Sequence, residues 1–110
     1  MIYQHEELAT GGWERLSFVE KMAHIGSEVS RALNWLSKNN TAYSQRAAER
    51  ALELVDLTLR GDKNFPRLKE ISRLREAIVD YFFGVNQFKS TETSWRKYFL
   101  CFTYALRKNY

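Results

Sequence analysis

The chain has 110 residues, of which 45% are hydrophobic and 27% are charged, and this profile excludes a disordered chain. A length of this order is that of a single domain that buries its own core. The lone Cys101 excludes an intramolecular disulfide. No apolar stretch approaches the roughly 18 residues of a membrane span, and the N-terminus has no apolar signal core, so we expect a cytoplasmic protein without a membrane segment.

The net charge of +4 is unevenly distributed along the chain. Residues 1–45 contain four basic and five acidic side chains, whereas residues 46–110 contain 13 basic and eight acidic ones. A basic half of this kind can attract nucleic acid, or its cations can pair with neighbouring carboxylates along a solvated helix face. For the first alternative, the candidate phosphate contacts are Arg67, Lys69, Arg73, Arg96 and Lys97.

The first predicted helix begins at a capping box, in which Ser17 is followed three residues later by Glu20. Apolar residues then recur every three or four positions as far as the break at "SKNNT", which predicts a bundle helix of about six turns. Gly26 lies beside this apolar stripe, where the absence of a side chain would let a neighbouring helix approach closely.

The second predicted helix runs from Thr41 to Arg60. Asn40 or Thr41 is expected to cap its N-terminus, and Gly61 is expected to end it. Apolar residues cover roughly half of its circumference, which is more than one contact stripe needs. We therefore expect this helix to contact two neighbours.

Two further helices complete the predicted fold. Pro66 suits the first turn of the third helix and Gly84 its C-terminal cap, and the fourth helix begins near "STETSW" and runs to the end of the chain. Short connections between sequential helices predict an all-α, antiparallel up-down four-helix bundle. We expect residues 1–110 to form one domain, with a loosely ordered N-terminal segment at residues 1–14.

One cation falls inside an apolar stripe. On a helical wheel Arg75 lies between Phe82 and Leu68, near the middle of the apolar face of the third helix. Such a guanidinium either binds a ligand or forms a structural ion pair, and we favour the ion pair because an unpaired buried charge is costly. The candidate carboxylates are Glu28, Glu49 and Glu53.

Two surfaces are candidate interfaces. Trp35 falls on the polar side of the first helix, so either a neighbouring segment covers it or it anchors a partner. In the fourth helix the face opposite Trp95 and Phe99 carries Leu100 and Tyr104 beside cations. An apolar patch of this kind predicts a two-fold homodimer through the fourth helix, or tolerated exposure of two apolar residues.

Catalytic and metal-binding patterns are weak. Glu20, His24 and Glu28 share one face of the first helix, but one helix cannot close a metal coordination shell, so we expect a solvated trio. Cys101 and His24 are a formal nucleophile pair that no sequence pattern brings together, and His5 falls in the N-terminal segment. We therefore expect neither an enzyme nor a metal or other cofactor.

Four segments carry a resemblance to known proteins: "HIGSEVSRALNW", "RAAERALELVDLTL", "RLKEISRLREAIVDYFFGVNQF" and "SWRKYFLCFTYALR". They resemble a set of short, uncharacterised helical proteins from prokaryotic genomes. More remotely, the layout is similar to the HEPN superfamily, helical bundles that include RNA-cleaving toxins and helpers of nucleotidyltransferases. Catalytic members carry Arg and then His with about four to six residues between them, and neither His5 nor His24 has such an Arg, so the resemblance implies the fold alone.

Taken together, these patterns favour a small helical interaction module that self-associates and binds an unidentified protein partner. The alternative is an accessory nucleic-acid-binding protein, HEPN-like and non-catalytic, that holds phosphates with its basic second half.

Overall fold

The structure is a computed structural model that describes residues 12–108. These residues form four α-helices, preceded by a short 3-10 turn at Trp13–Arg15, and contain no β-strand. The helices are α1 (Phe18–Ser37), α2 (Thr41–Gly61), α3 (Phe65–Phe83) and α4 (Glu92–Lys108). The predicted all-α, four-helix fold is confirmed.

Polar side chains cap each of the four helices. The Ser17 hydroxyl accepts from the Glu20 amide, and the Glu20 carboxylate accepts from the Ser17 amide, both at 3.1 Å, so the predicted capping box is present. The hydrogen bond from the Ser17 backbone amide lowers the pKa of Glu20. Side chains of Asn40, Asn64 and Thr91 accept from amides three residues further on, which fixes where α2, α3 and α4 begin.

Helices α1 and α2 form the central pair of the fold. The Ser44 hydroxyl donates to the Ala32 carbonyl oxygen at 2.8 Å, and the Arg50 guanidinium donates to the Glu28 carboxylate at 3.0 Å. Because residue numbers fall along α1 as they rise along α2, the two helices run antiparallel.

Helix α3 packs on α2. Near one end the Gln45 side-chain amide donates to the Phe82 carbonyl oxygen at 3.3 Å, and nearer the other end Arg75 pairs with Asp56 at 2.8 Å. The two contacts again show an antiparallel pair. Helix α2 thus contacts both α1 and α3, as its wide apolar arc predicts.

Helix α4 packs on α1 through an unusually close contact. A Cβ atom built on Gly26 would lie 2.8 Å from the Phe99 ring, so the glycine makes room for that ring. One turn earlier in α4, the Arg96 guanidinium donates to Ser30 Oγ at 3.1 Å and to Asn34 Oδ1 at 2.9 Å. The close helix approach predicted at Gly26 is therefore confirmed.

Within the described residues, the two outer helices, α3 and α4, do not pack against each other along their length, whereas α1 packs on α2 and on α4, and α2 packs on α3. They meet at one end, where the Trp95 ring lies 5.9 Å from that of Tyr81 and 6.3 Å from that of Phe82. Each outer helix packs on a different member of the central pair, and a groove separates α3 from α4.

The 3-10 turn contributes to the core. Trp13 is 1% exposed, and its Nε1 donates to Thr58 Oγ1 on α2 at 2.9 Å. The Thr58 hydroxyl in turn donates to the Leu54 carbonyl oxygen at 2.8 Å, so the buried polar groups are satisfied. The prediction of a loose segment at residues 1–14 is wrong for Trp13, while residues 1–11, with His5, lie outside the described residues.

The contact at Gly26 leads to a stability prediction. We expect Gly26→Ala to lower the free energy of unfolding by about 1 kcal/mol, because overpacking of about 1–3 kcal/mol exceeds a gain in helix propensity of about 1 kcal/mol. The matched control is Gly61→Ala, whose Cβ would meet a flexible Glu14 side chain at an ordinary 3.5 Å. Urea titrations that show both variants to be equally stabilised would contradict the prediction.

Candidate functional site

The outer face of α4 exposes two large apolar side chains. Leu100 is 63% exposed and Tyr104 is 66% exposed, whereas Trp95 and Phe99 are buried on the opposite side of the helix. Two exposed cations share this outer face by helical periodicity, Lys97 and Arg107. The face that the sequence singles out is therefore solvent-accessible in the single chain.

Trp35 is half-buried by its immediate neighbours. Its ring meets that of Tyr43 edge-on at 4.9 Å, and the Lys38 ammonium group lies 5.2 Å from its centroid. The turn after α1 and the first turn of α2 thus supply the contacts. The other predicted cover, the "MIYQHEEL" segment, lies outside the described residues.

The five predicted phosphate contacts are spread over several parts of the surface. The Arg67 guanidinium lies over an aromatic ring of α1, 4.8 Å from its centroid, and Arg96 hydrogen-bonds to α1. Lys69 and Arg73 line the groove between α3 and α4, whereas Lys97 lies on the outer face of α4. Only Lys69 and Arg73 are brought together.

Arg75 forms an ion pair, but its partner is Asp56. The Nε atom lies 2.8 Å from Asp56 Oδ1, and the two side chains are 44% and 30% exposed. The partner is none of the three predicted carboxylates, and the pair is near the surface. Leu68 is only half-buried, so the centre of the buried stripe on α3 is displaced away from Arg75, toward Leu74.

Glu28 is the buried charge that the sequence analysis assigned to a solvated face. It is 5% exposed and accepts from Arg31 and from Arg50 on α2, both at 3.0 Å. The expectation of a solvated trio is therefore wrong for Glu28, because Arg50 of α2 packs against its carboxylate. His24 remains exposed, with its ring 5.7 Å from that of Trp13.

The groove between α3 and α4 is a site that the sequence analysis missed. Its volume is about 660 Å³, within the range of about 300–1,000 Å³ that is typical of ligand pockets. Its apolar walls come from both outer helices: Leu74, Ala77, Trp95 and Tyr98. The residues of α3 that line the groove recur at helical spacing in "PRLKEISRLREA". This spacing shows that they share one face of the helix, but it does not show whether another helix covers that face.

Charged side chains line the α3 edge of the groove. Lys69 and Arg73 lie one helical turn apart on the same face, with Glu70 beside them. Neither cation takes part in an ion pair among the described residues. This edge therefore carries more positive than negative charge.

Two buried polar atoms in the groove residues have no hydrogen-bond partner within residues 12–108. They are the Trp95 Nε1 atom and the Tyr98 hydroxyl, whereas the indole N–H of Trp13 donates to Thr58. Burial raises the pKa of the Tyr98 phenol, and the Glu70 carboxylate adds to the effect, so this hydroxyl keeps its proton. Both groups are donors that lack an acceptor.

The loop between α3 and α4 is held by its own hydrogen bonds. The Asp80 carboxylate accepts from the backbone amides of Gln87 and Phe88 at 2.7 and 3.0 Å. Asn86, with a left-handed φ of 57°, exchanges two hydrogen bonds with Ser90, both at 2.9 Å. Ser90 is thereby fixed at the edge of the groove.

Metal-ligating side chains do not cluster in the described residues. Residues 12–108 contain no group of three or more His, Cys, Asp and Glu placed to hold a metal ion. Cys101 is exposed and donates to the Tyr98 carbonyl oxygen, while His24 lies beside Trp13. None of the helices in this range is both long and apolar enough to cross a membrane.

Comparison with known proteins identifies no relative. No protein-family model, no curated protein and no solved structure matches the chain. Functional inference therefore starts from the chain's own residues, and the resemblances described for the sequence stay expectations.

The ion pairs lead to a second stability prediction. We expect Glu28→Gln to lower the free energy of unfolding by about 2–4 kcal/mol, because it leaves two guanidinium groups without their buried carboxylate. Arg75→Ala removes a more exposed pair, and we expect a loss of no more than about 1 kcal/mol. Equal losses in urea titrations of the two variants would contradict this order.

Proposed function

We propose that the protein is a small, non-enzymatic interaction module of the cytoplasm that self-associates and binds another macromolecule. The observation that supports this most is the outer face of α4, where Leu100 and Tyr104 are both more than half exposed. The cytoplasmic part of the proposal rests on the lone, exposed Cys101, since a disulfide framework is absent from the chain.

The partner that we propose first for the outer face of α4 is a second copy of the chain. Leu100 and Tyr104 lie one turn apart, so a two-fold axis beside them places each patch against its own equivalent. Tyrosine suits such a position because its ring buries apolar area while its hydroxyl stays hydrated at the edge. Closed two-fold pairing then covers the apolar side chains that the single chain leaves in water.

The cations around this patch make self-association depend on salt. Lys97 and Arg107 are exposed on the same outer face, and pairing two copies brings four such charges closer together. Their repulsion is screened beyond about 8 Å at physiological ionic strength. The dimer is therefore expected to become stronger, not weaker, as salt is added.

We expect Leu100→Glu combined with Tyr104→Glu to convert a dimer into a monomer. The substitutions place four additional negative charges in the paired interface without touching the buried face of α4. Light scattering at micromolar concentration measures the mass, and circular dichroism checks that helicity is retained.

The matched control for this variant is Phe65→Glu combined with Phe88→Glu. Phe65 is 75% exposed and Phe88 is 58% exposed, so the control changes charge and exposed apolar area to a similar extent outside α4. The control is expected to stay dimeric. A monomeric wild-type protein, or a control that dissociates as readily as the α4 variant, would count against self-association through α4.

Nucleic-acid binding is the second candidate function. It is supported by Lys69 and Arg73, which lie on one face of α3 without an ion pair among the described residues. The three remaining predicted contacts are less favourable, because Arg67 lies over an aromatic ring, Arg96 is bound to α1, and Lys97 lies apart on the outer face of α4. The supported contact surface is thus confined to two cations.

Salt dependence separates the two candidate functions. If Lys69 and Arg73 hold phosphates, affinity for mixed-sequence RNA or DNA falls steeply as salt rises, since counterions are released on binding. We expect Lys69→Gln combined with Arg73→Gln to reduce the slope of the logarithm of affinity against the logarithm of salt by about 2. A fluorescence titration that detects no binding even at low salt removes this candidate.

A further inference from the structure

We propose that the groove between α3 and α4 binds a small aromatic carboxylic acid. The ring system of the ligand packs against Leu74, Ala77 and Trp95, and its carboxylate lies near Lys69 and Arg73. This site is separate from the outer face of α4, and the proposal does not depend on self-association.

The shape of the groove supports a small molecule as the occupant. Its volume of about 660 Å³ lies in the middle of the ligand-pocket range of about 300–1,000 Å³. Its apolar walls come from α3 and α4. These two helices meet where the Trp95 ring contacts the rings of Tyr81 and Phe82. A flat ring system fits a wedge of this form, because both of its faces meet apolar side chains.

The donors without partners indicate that the ligand carries hydrogen-bond acceptors. Trp95 is 4% exposed, and neither its Nε1 atom nor the Tyr98 hydroxyl has a hydrogen-bond partner in the part of the chain that the structure describes. A buried donor without an acceptor is rare in proteins and destabilises the structure, so each such group requires an explanation. The carboxylate oxygens of the ligand would accept from both groups once the side chains that cover these two atoms move aside.

The charge at the edge of the groove indicates the sign of the ligand. Among the residues that line the groove, Glu70 is the only carboxylate near Lys69 and Arg73. A negatively charged head group is therefore attracted by two cations and repelled by one anion. A guanidinium and an ammonium group are both suited to a carboxylate, and the guanidinium adds two parallel hydrogen bonds.

One edge of the site is preformed. The loop that carries Ser90 is fixed by the Asp80 carboxylate and by the paired hydrogen bonds between Asn86 and Ser90. Because the backbone at this edge is already ordered, little of the binding free energy is lost in ordering it.

The test uses the full chain labelled with ¹⁵N and 2-naphthoate as the probe. Spectra record the three indole N–H signals, and we expect a saturable downfield shift for Trp95 as its N–H gains an acceptor. The Trp13 signal serves as an internal control, since that N–H already donates to Thr58. The uncharged analogue 2-naphthamide is expected to bind about three- to tenfold more weakly, because it lacks the charge that Lys69 and Arg73 attract.

Two substitutions at the edge of the groove are expected to act in opposite directions. Arg73→Gln weakens 2-naphthoate binding by about three- to tenfold, whereas Glu70→Gln strengthens it by about twofold, because a nearby negative charge is removed. Arg46→Gln, an exposed cation over the Tyr43 ring on α2, leaves the affinity unchanged. These substitutions are on exposed or half-buried side chains, so circular dichroism is expected to show an unaltered fold.

Two results would overturn the proposal: no saturable shift of the Trp95 signal, or equal affinity for the carboxylate and the amide. The variant that combines Leu100→Glu with Tyr104→Glu separates this site from the dimer face. Retained 2-naphthoate binding in that variant supports a groove that acts independently, and lost binding overturns that independence.

Discussion

The packing of Phe99 against the backbone of Gly26 determines how the four helices are arranged. Because residue 26 has no side chain, the ring reaches the space that a Cβ atom would fill, and α4 is held closely to α1. Helix α3 follows α2 instead, through the contacts of Gln45 with Phe82 and of Arg75 with Asp56. The outer helices are therefore tied to different partners, and the space between them stays open.

Buried polar groups are treated differently in the two halves of this arrangement. Between the 3-10 turn and α2, the hydrogen bond of Trp13 to Thr58 is closed, and Glu28 is matched by two guanidinium groups. At the groove, Trp95 and Tyr98 leave their donors without an acceptor. Among the described residues, the buried donors without an acceptor thus lie on the side of the molecule formed by the outer helices.

Local signals in the sequence account well for the helices and less well for the site. The capping box at Ser17 and the glycine at position 26 act within a few residues or through one missing side chain, so both could be recognised. The burial of Glu28 depends on Arg50, which is 22 residues away, and no periodicity encodes that distance. A helical wheel gives the position of Arg75 around the axis of α3 relative to the other side chains. It does not show which side of α3 faces α2.

The groove was beyond sequence reasoning for the same reason. Its existence depends on the separation of α3 from α4, which arises from two other helix contacts rather than from the residues of the groove itself. Periodicity in "PRLKEISRLREA" marks one face of α3, and a face of this composition is equally compatible with a covered or an open position. That the Trp95 and Tyr98 donors lack an acceptor can be recognised only when the positions of the surrounding acceptors are known.

The attachment of α3 has a consequence for motion. Like α4, this helix rests mainly on one neighbour, whereas α1 and α2 each have two, so separating it from the domain breaks fewer contacts than separating the central pair. Regions of a protein open independently with different free energies, and the element with the smallest interface opens at the lowest one. Backbone amide hydrogens of α3 are thus the ones expected to exchange with solvent ahead of those in the central pair. Because Ile71, Leu74 and Ile78 of α3 belong to the core, a motion of α3 that widens the groove also opens the part of the core between α3 and α2.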